Sequence, residues 1–219
     1  MPSRRFPGRK AGSLDDLLKP KRLWSRSEVL VRPCPVPREP GVYAYYFRKV
    51  PPGVPVAGCL RASGATLLYL GISPKRSPVN GARPSRQRLL NRIRYHFRGN
   101  AEGSTLRLTL GCLLAKSLEI ELRRVGSGKR RTFANGETRL SEWMDRNALV
   151  CWLPAKDPWK LESRLISELR LPLNLQGNSH HPFHQKLSAL RKQYRTRADR
   201  LPVLRPRAAF NSSPRLRAR

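Results

Sequence analysis

The sequence is poor in acidic residues. Its 219 residues contain 14 Asp and Glu against 45 Lys and Arg, which gives a formal net charge of +31. This excess is larger than solubility requires, and it indicates a polyanionic partner, with nucleic acid first and an anionic membrane surface second. Contacts with phosphates release counterions, so such binding is expected to weaken steeply as the salt concentration rises.

The sequence also lacks long apolar runs and paired cysteines. No stretch approaches the roughly 18 apolar residues of a membrane-spanning helix, and the basic N-terminus is not followed by the apolar segment of a secretory signal. The cysteines are scattered, without a C-x-x-C pair, at Cys34, Cys59, Cys112 and Cys151. This spacing argues against a zinc knuckle and predicts free thiols in a reducing, cytoplasmic compartment.

Composition divides the chain into three regions. Residues 1–35 are predicted to form a basic, largely extended N-terminal arm, with a short helix that Ser13 caps. Residues 36–182 carry the patterned segments of a folded domain. Residues 183–219 are predicted to form a basic helix over residues 184–201, followed by an Arg-rich tail that is disordered in the free protein.

Two segments have the aromatic and β-branched composition of strands, GVYAYYF at 41–47 and TLLYLGIS at 66–73. Because successive side chains alternate between faces, the first strand should place Tyr43, Tyr45 and Phe47 on one side. In the second strand, the same alternation places Leu68 and Leu70 on one face and Leu67, Tyr69 and Gly71 on the other. The single intervening loop predicts antiparallel pairing.

Helical periodicity follows these strands. A helix capped by Ser85 should end at Gly99, with Arg92 and His96 near its inward side, and a second helix capped by Ser104 should cover residues 103–115. A hairpin, a helix at 138–147 and a strand at 149–154 come next. The expected fold class is therefore α/β (α+β), with a small, mainly antiparallel sheet flanked by helices.

The segment at 159–174 is predicted to begin with a helix for which Asp157 is the N-cap and Pro158 the first residue. Helical spacing puts Glu162 on the same face as Leu165 and Ile166, where a carboxylate requires a cation, a metal ion or a proton. A structural ion pair with one of the many arginines is one explanation, and a functional site is the other.

Taken together, these segments resemble the GIY-YIG nuclease family. The first triplet is Gly41-Val42-Tyr43 and the second is Tyr69-Leu70-Gly71, with Val and Leu in place of isoleucine. The helix LLNRIRYHF resembles the arginine-bearing helix of the family, and Glu162 precedes Leu165-Ile166 and Asn174 as the acidic residue does there. The resemblance covers residues 40–178. The regions between the two triplets and between Gly111 and Trp152 are longer than is usual in the family, and they are expected to be surface loops with substrate contacts.

The resemblance implies which residues form the site. It implies catalytic roles for Tyr43, Tyr69, Arg92, His96 and Glu162, and supporting roles for Gly41, Gly71 and Asn174. The spacing R-x-x-x-H is similar to restriction-type members, in which the histidine assists a tyrosine base. For His96 a purely structural place in the core is an equal alternative.

Phosphodiester hydrolysis explains these residue types. Glu162 would hold one Mg²⁺ or Mn²⁺, and Arg92 would bind the non-bridging oxygens. Tyr43 would orient or deprotonate the attacking water and pass a proton toward His96, while Tyr69 would hydrogen-bond the water or phosphate. Gly71 would leave space for the substrate, and Asn174 would hydrogen-bond the end of the Glu162 helix or orient its carboxylate.

The implied function is a metal-dependent endonuclease that acts on DNA rather than RNA, without a membrane partner. The alternative is a non-catalytic nucleic-acid-binding protein with the same scaffold. The predicted nucleic-acid-binding residues are Lys75, Arg76, Arg88, Arg191, Lys192 and Arg195. The histidines at 180, 181 and 184 have no cysteine or acid nearby, which favours a surface or capping role over metal binding.

Overall fold

The computed structural model describes residues 12–75 and 85–205. The helices are α1 (Asp15–Leu18), α2 (Arg26–Leu30), α3 (Leu89–Arg98), α4 (Thr105–Leu118), α5 (Gly136–Asn147), α6 (Pro158–Glu168) and α7 (His184–Arg200). The strands are β1 (Gly41–Phe47), β2 (Arg61–Ala62), β3 (Ala65–Ser73), β4 (Arg123–Val125), β5 (Arg130–Thr132) and β6 (Ala148–Pro154). No helix in the described part of the chain is long and apolar enough to cross a membrane.

A four-stranded antiparallel sheet lies at the centre of the fold. Its strand order is β2-β3-β1-β6, so the aromatic strand β1 has a partner on each side and every residue of β1 is buried. Trp24 extends the sheet beyond β6 through a bridge with Val150. The expected α+β class, with a small antiparallel sheet flanked by helices, is confirmed.

The two faces of the sheet carry separate hydrophobic clusters. Tyr43, Tyr45 and Phe47 face the larger cluster, which α3, α4, α5 and α7 cover, as the alternation in β1 predicts. The opposite face of β1 packs against α1 and α6, which contribute Leu17 and Leu165. The predicted site residues of β1 and α3 therefore lie on the larger face, whereas α6 packs against the opposite face of the sheet.

A β-bulge interrupts the alternation in β3. Tyr45 pairs with Tyr69, but the next residue of β1 pairs with Leu67, so Leu68 has no partner in β1. The extra residue shifts the pattern, and Leu68 and Tyr69 both contribute to the larger cluster while Leu70 faces the other. The prediction that Leu68 shares a face with Leu70 was therefore wrong, because strict alternation does not continue through a bulge.

The starts of α3, α4 and α6 test the predicted caps. Ser104 caps α4 as predicted, with its hydroxyl accepting from the backbone N–H of Arg107. Ser85 does not cap α3, which begins at Leu89, because its hydroxyl accepts from Gln87 N instead. Carbonyl groups of residues 37 and 39 satisfy the first N–H groups of α3. Asp157 precedes α6 without a side-chain capping bond.

The described part of the N-terminal region, residues 12–35, is folded rather than extended. Ser13 caps the first helix, α1, as predicted: its hydroxyl accepts from the backbone N–H of Asp15 at 3.3 Å, and its own N–H donates to the Asp16 carboxylate at 2.8 Å. Leu17 is buried, and its carbonyl accepts a hydrogen bond of 2.7 Å from the Tyr46 hydroxyl. The second helix, α2, begins with a capping box between Ser25 and Glu28. These contacts hold the segment against β6 and α3, while residues 1–11 of the predicted arm lie outside the described residues.

The β4–β5 hairpin holds the end of α7. Leu204 forms a parallel bridge with Val125, and the Arg124 side chain donates to the carbonyl of Leu201 at 3.0 Å. Arg131 pairs with Asp199 of α7 at 2.7 Å. The region between Gly111 and Trp152 contains this hairpin and α5, both of which the local pattern predicted, so the expectation of a surface loop there was wrong. The predicted Arg-rich tail lies beyond the described residues.

Candidate functional site

One cleft of about 970 Å³ brings together residues from four separate segments. Tyr43 of β1, Tyr69 of β3, Arg92 of α3 and Glu162 of α6 all line it. α6 packs behind the sheet, yet Glu162 reaches the same cleft as the two tyrosines because α6 lies against β3. His96 is fully buried and lies behind Tyr43, away from the cleft surface. The predicted catalytic residues are thus adjacent in space, although their segments are far apart in sequence.

Tyr43, Arg92, His96 and Ser104 form a hydrogen-bonded group that we call the buried network. The Tyr43 hydroxyl lies 2.7 Å from Nε2 of His96, and Nδ1 of the same ring lies 2.7 Å from the hydroxyl of Ser104. Arg92 Nε donates to the Tyr43 oxygen at 3.4 Å. These bonds fix the orientation of Tyr43 before any substrate is present.

Burial sets the protonation states in the buried network. Burial, assisted by the nearby guanidinium groups of Arg92 and Arg107, lowers the pKa of His96 well below its usual value, so the ring is neutral near pH 7. Burial likewise raises the pKa of Tyr43 well above its usual value. In the free protein Tyr43 is therefore a neutral phenol beside a neutral imidazole.

Arg92 is tied to the protein by one side of its guanidinium group. Nη1 donates to the carbonyl of Gly103 at 2.9 Å, and Nε donates to Tyr43. Nη2 has no hydrogen-bond partner among the described residues, and Arg92 lines the cleft. This arrangement leaves a positioned donor for an anion in the cleft.

Glu162 lies in a different environment. Its side chain is half-buried, and within residues 12–75 and 85–205 no side chain donates a hydrogen bond to it or forms an ion pair with it. Burial raises its pKa to about 7, and Lys75 opposes this shift from a distance. The sequence left open an ion pair between Glu162 and an arginine. The described residues do not form this pair.

The two motif glycines make room for protein atoms. A Cβ atom at Gly71 would lie 2.5 Å from the Tyr43 hydroxyl oxygen, so the missing side chain accommodates the phenol. A Cβ atom at Gly41 would meet the backbone of Leu153 in the neighbouring strand. Gly71 also lines the cleft, so its role in leaving space for the substrate stays a prediction beside this contact with Tyr43.

Asn174 supports the sheet, and its side chain does not bond the end of α6. Its Oδ1 accepts from the backbone N–H of Leu70 at 2.9 Å, and its Nδ2 donates to the carbonyl of Leu70 at 2.8 Å. The neighbouring Leu173 N–H donates to the carbonyl of Leu68. β3 is an edge strand here, so these bonds satisfy backbone groups between Tyr69 and Gly71 that would otherwise lack partners.

Most of the predicted nucleic-acid-binding residues lie at the cleft. Lys75 lines it near Glu162, and Arg191, Lys192 and Arg195 line it from α7. Arg88 precedes α3 and does not line the cleft, while Arg76 lies outside the described residues. The cleft therefore has a basic wall, which the basic face of α7 provides.

Two polar contacts near the site were not predicted. Arg107 is fully buried and pairs with Glu137 at 2.6 Å, and it also donates to the carbonyl of His96. The Tyr69 hydroxyl lies 3.3 Å from that of Thr105. An arginine inside the apolar run of α4 was a usable signal for a buried pair, but nothing in the sequence identifies Glu137 as its partner.

The histidines of residues 180–184 do not form a metal site with other groups. Nδ1 of His181 accepts from the backbone N–H of Phe183 at 3.1 Å, a local structural role. No group of three or more His, Cys, Asp or Glu side chains suitable for a metal ion occurs in the described part of the chain. Any metal ion in the cleft would therefore depend on fewer protein ligands and on water or substrate oxygens.

Comparison with known proteins gives one match. The model of the GIY-YIG catalytic domain matches residues 41–193, more than half of the chain. No curated protein and no solved structure shows significant similarity to the sequence. The matched range contains both motif triplets, the arginine helix and Glu162. From these segments Tyr43, Tyr69, Arg92 and Glu162 line the cleft. The protein therefore belongs to the GIY-YIG catalytic-domain family, whose members are generally endonucleases.

Proposed function

We propose that this protein is a metal-dependent endonuclease that hydrolyses DNA phosphodiester bonds. The observation that carries the proposal is the single cleft in which Tyr43, Tyr69, Arg92 and Glu162 meet. These side chains supply what the reaction needs, namely a position for water, a donor for the phosphoryl oxygens and a ligand for a divalent cation. DNA is proposed rather than RNA because GIY-YIG nucleases mostly cut DNA.

Arg92 and the tyrosines would bind and orient the reactants. The unpaired Nη2 group of Arg92 would donate to a non-bridging phosphoryl oxygen, which withdraws charge from the reacting phosphorus. Tyr43, which the buried network holds in place, would orient the attacking water and remove its proton. Tyr69 would hydrogen-bond the water or the phosphate from the adjacent strand.

The environment of Glu162 suits one hard divalent cation. The carboxylate has no described protein partner, and burial raises its pKa, so a bound cation would relieve the cost of its charge. Mg²⁺ and Mn²⁺ accept a single carboxylate together with water and phosphate oxygens, and the open cleft leaves room for both. When bound, the cation would stabilise charge on the leaving 3′-oxygen.

The basic wall of α7 would hold the DNA backbone. Arg191 and Arg195 are four residues apart and therefore about 6 Å apart along the helix axis, and both line the cleft with Lys192 and Lys75. Contacts of this type position the strand without reading its sequence. The free thiols support the additional proposal of a cytoplasmic location.

The substitution Glu162→Ala tests this proposal. Linear, supercoiled, branched and single-stranded DNA would be incubated with Mg²⁺, with Mn²⁺ and with chelator. The wild type should cleave at least one form only with a divalent ion, and the variant should lose at least about a thousandfold in rate. Low-salt DNA binding should stay nearly unchanged. Glu168→Ala is the matched control, because Glu168 lies on the same helix in an exposed pair with Arg164.

Two results would contradict the proposal. Metal-dependent cleavage that survives Glu162→Ala would show that the active site lies elsewhere. A wild type that binds every DNA form but cleaves none with either ion would favour the alternative, a non-catalytic nucleic-acid-binding protein.

A further inference from the structure

Ser104 lies behind the buried network and bonds its imidazole. Its side chain is fully buried, and its oxygen lies 2.7 Å from His96 Nδ1 and 3.1 Å from the backbone nitrogen of Arg107. Among the described residues these are the two hydrogen-bond partners of the hydroxyl group. The serine is thus both the N-cap of α4 and the partner of the histidine.

The direction of each bond follows from the donors available. A backbone N–H can only donate, so the Ser104 oxygen accepts from Arg107. The hydroxyl hydrogen then has one described acceptor, the Nδ1 atom of His96. If Nδ1 carried a proton instead, the hydroxyl hydrogen of a fully buried serine would have no described acceptor, which is costly away from water.

The neutral His96 ring carries one proton, because burial and two neighbouring guanidinium groups lower its pKa. With Nδ1 as the acceptor, that proton lies on Nε2, which is 2.7 Å from the Tyr43 oxygen. We infer that Ser104 is a positioning residue that fixes His96 in its Nε2–H tautomer, so that His96 donates a hydrogen bond to Tyr43. The phenol oxygen then accepts from both His96 and Arg92, and its own hydrogen points away from the imidazole into the cleft, which Tyr43 lines and Ser104 does not.

The consequence for catalysis rests on the proposed function. Two donors on one oxygen stabilise the phenolate form of Tyr43 and so oppose the effect of burial, which favours the phenol. The phenol proton would leave through the cleft to solvent. The phenolate would then take a proton from the attacking water, so that a water O–H bond breaks as the phenol O–H bond forms. His96 stabilises this charge and does not accept the Tyr43 proton, contrary to the role expected from the sequence.

Nitrogen NMR of the metal-free, full-length protein with ¹⁵N-labelled histidine tests the inference without any nuclease assay. The His96 signals are identified by their absence in His96→Gln. The expected result is a protonated Nε2 and an unprotonated Nδ1 in the wild type. A proton on Nδ1 would overturn the inference, whether or not the protein cleaves DNA.

Two variants at position 104 separate positioning from folding. Ser104→Gly removes the hydroxyl while glycine is still acceptable at an N-cap, and Ser104→Thr keeps the hydroxyl. The glycine variant should lose the fixed tautomer, and its kcat should fall by about tenfold to a hundredfold with KM unchanged. The threonine variant should keep the Nε2–H tautomer and a kcat close to that of the wild type. A glycine variant that loses thermal stability but keeps the Nε2–H tautomer and the wild-type kcat would overturn the inference.

The nuclease assay and the NMR experiment can fail independently of each other. A wild type with no nuclease activity on any DNA form would remove the catalytic consequence, and the NMR signals of wild type and Ser104→Gly would still decide whether Ser104 sets the tautomer.

Discussion

The two sides of the cleft are built in different ways. The buried network on one side has a hydrogen-bond partner at each of its central atoms, so Tyr43 is oriented in the free protein. On the other side, Glu162 has no hydrogen bond or ion pair from the described residues, and burial raises its pKa to about 7. The first side orients its tyrosine before a ligand arrives and leaves only Arg92 Nη2 without a described partner, whereas the carboxylate on the second side requires a ligand.

The difference predicts opposite effects of substitution. A change in the buried network or its supports should lower the free energy of unfolding, because it leaves buried polar groups without partners. A change that removes the charge of Glu162 should raise this free energy in the absence of metal while lowering activity. Stability and activity should therefore fall together on one side of the cleft and change in opposite directions on the other.

The largest effect on stability is expected at Arg107. Arg107→Met leaves the Glu137 carboxylate, whose side chain is 15% exposed, without its 2.6 Å partner, and it removes a donor from the carbonyl of His96. We expect the free energy of unfolding to fall by about 3–5 kcal/mol, measured by urea denaturation. Arg139→Met is the control on α5, since its pair with Glu119 is exposed and should contribute below about 1 kcal/mol. Equal losses in the two variants would contradict the buried pair.

The next effect concerns Tyr43. Tyr43→Phe keeps the packing of the ring but removes the hydroxyl that bonds His96 and Arg92, so kcat for DNA cleavage should fall by about 10²- to 10⁴-fold. Tyr46→Phe is the matched control, because the Tyr46 hydroxyl bonds Leu17 on the opposite face of the sheet. This control should lose about 1 kcal/mol of stability and no activity. Comparable kcat losses in both variants would indicate a general effect of tyrosine removal.

The pKa of Glu162 predicts a gain in metal-free stability for Glu162→Gln. Because the folded-state pKa is raised from 4.5 to about 7, this group destabilises the fold progressively as the pH rises through that range. At pH 8 with chelator, the variant should exceed the wild type by about 1–3 kcal/mol, and at pH 4 the difference should nearly vanish. Denaturant titrations measure both values.

Added Mg²⁺ gives the complementary test on Glu162. The ion should stabilise the wild type at pH 8 and leave Glu162→Gln unchanged, because binding to the folded state requires the carboxylate. A variant that is less stable than the wild type in chelator, or that gains equally from Mg²⁺, would contradict the unpaired state of Glu162.

The smallest effect is expected on the basic wall. Arg195→Gln removes one cation that lines the cleft, so the slope of log binding constant against log salt should decrease by about one. Lys186→Gln on the same helix is the charge-matched control, because this exposed lysine does not line the cleft. Fluorescence anisotropy with labelled DNA measures both slopes. Identical slopes for the two variants would mean that α7 does not place DNA in the cleft.

The sequence predicted the parts of the fold that depend on local chemistry. The strands β1, β3 and β6 and the helix α7 follow from alternation and helical periodicity, with proline and glycine at their ends. The helix α2 was missed although Ser25 and Glu28 have the spacing of a capping box. The bulge at Leu68 was not predictable, because it depends on pairing between strands rather than on either strand alone.

The candidate site likewise has a part that the sequence indicated and a part that depends on tertiary packing. The resemblance to the GIY-YIG family indicated the motif residues Tyr43, Tyr69, Arg92 and Glu162, and the structure places them around one cleft. The sequence paired Tyr43 with His96, but it could not identify Ser104 as the second partner of His96, because that contact depends on how the chain turns between α3 and α4. A motif identifies chemical groups, whereas tertiary packing decides which atoms of those groups remain available.

The contact between Gly71 and Tyr43 limits how this cleft can be redesigned. Because a side chain at position 71 would occupy the volume of the Tyr43 phenol, the two positions cannot be varied independently. A library that adds bulk at position 71 alone would select against the tyrosine orientation before any effect on ligand preference appeared. Engineering of ligand choice should therefore begin on α7, where exposed side chains such as Lys192 border the cleft without packing against the phenol.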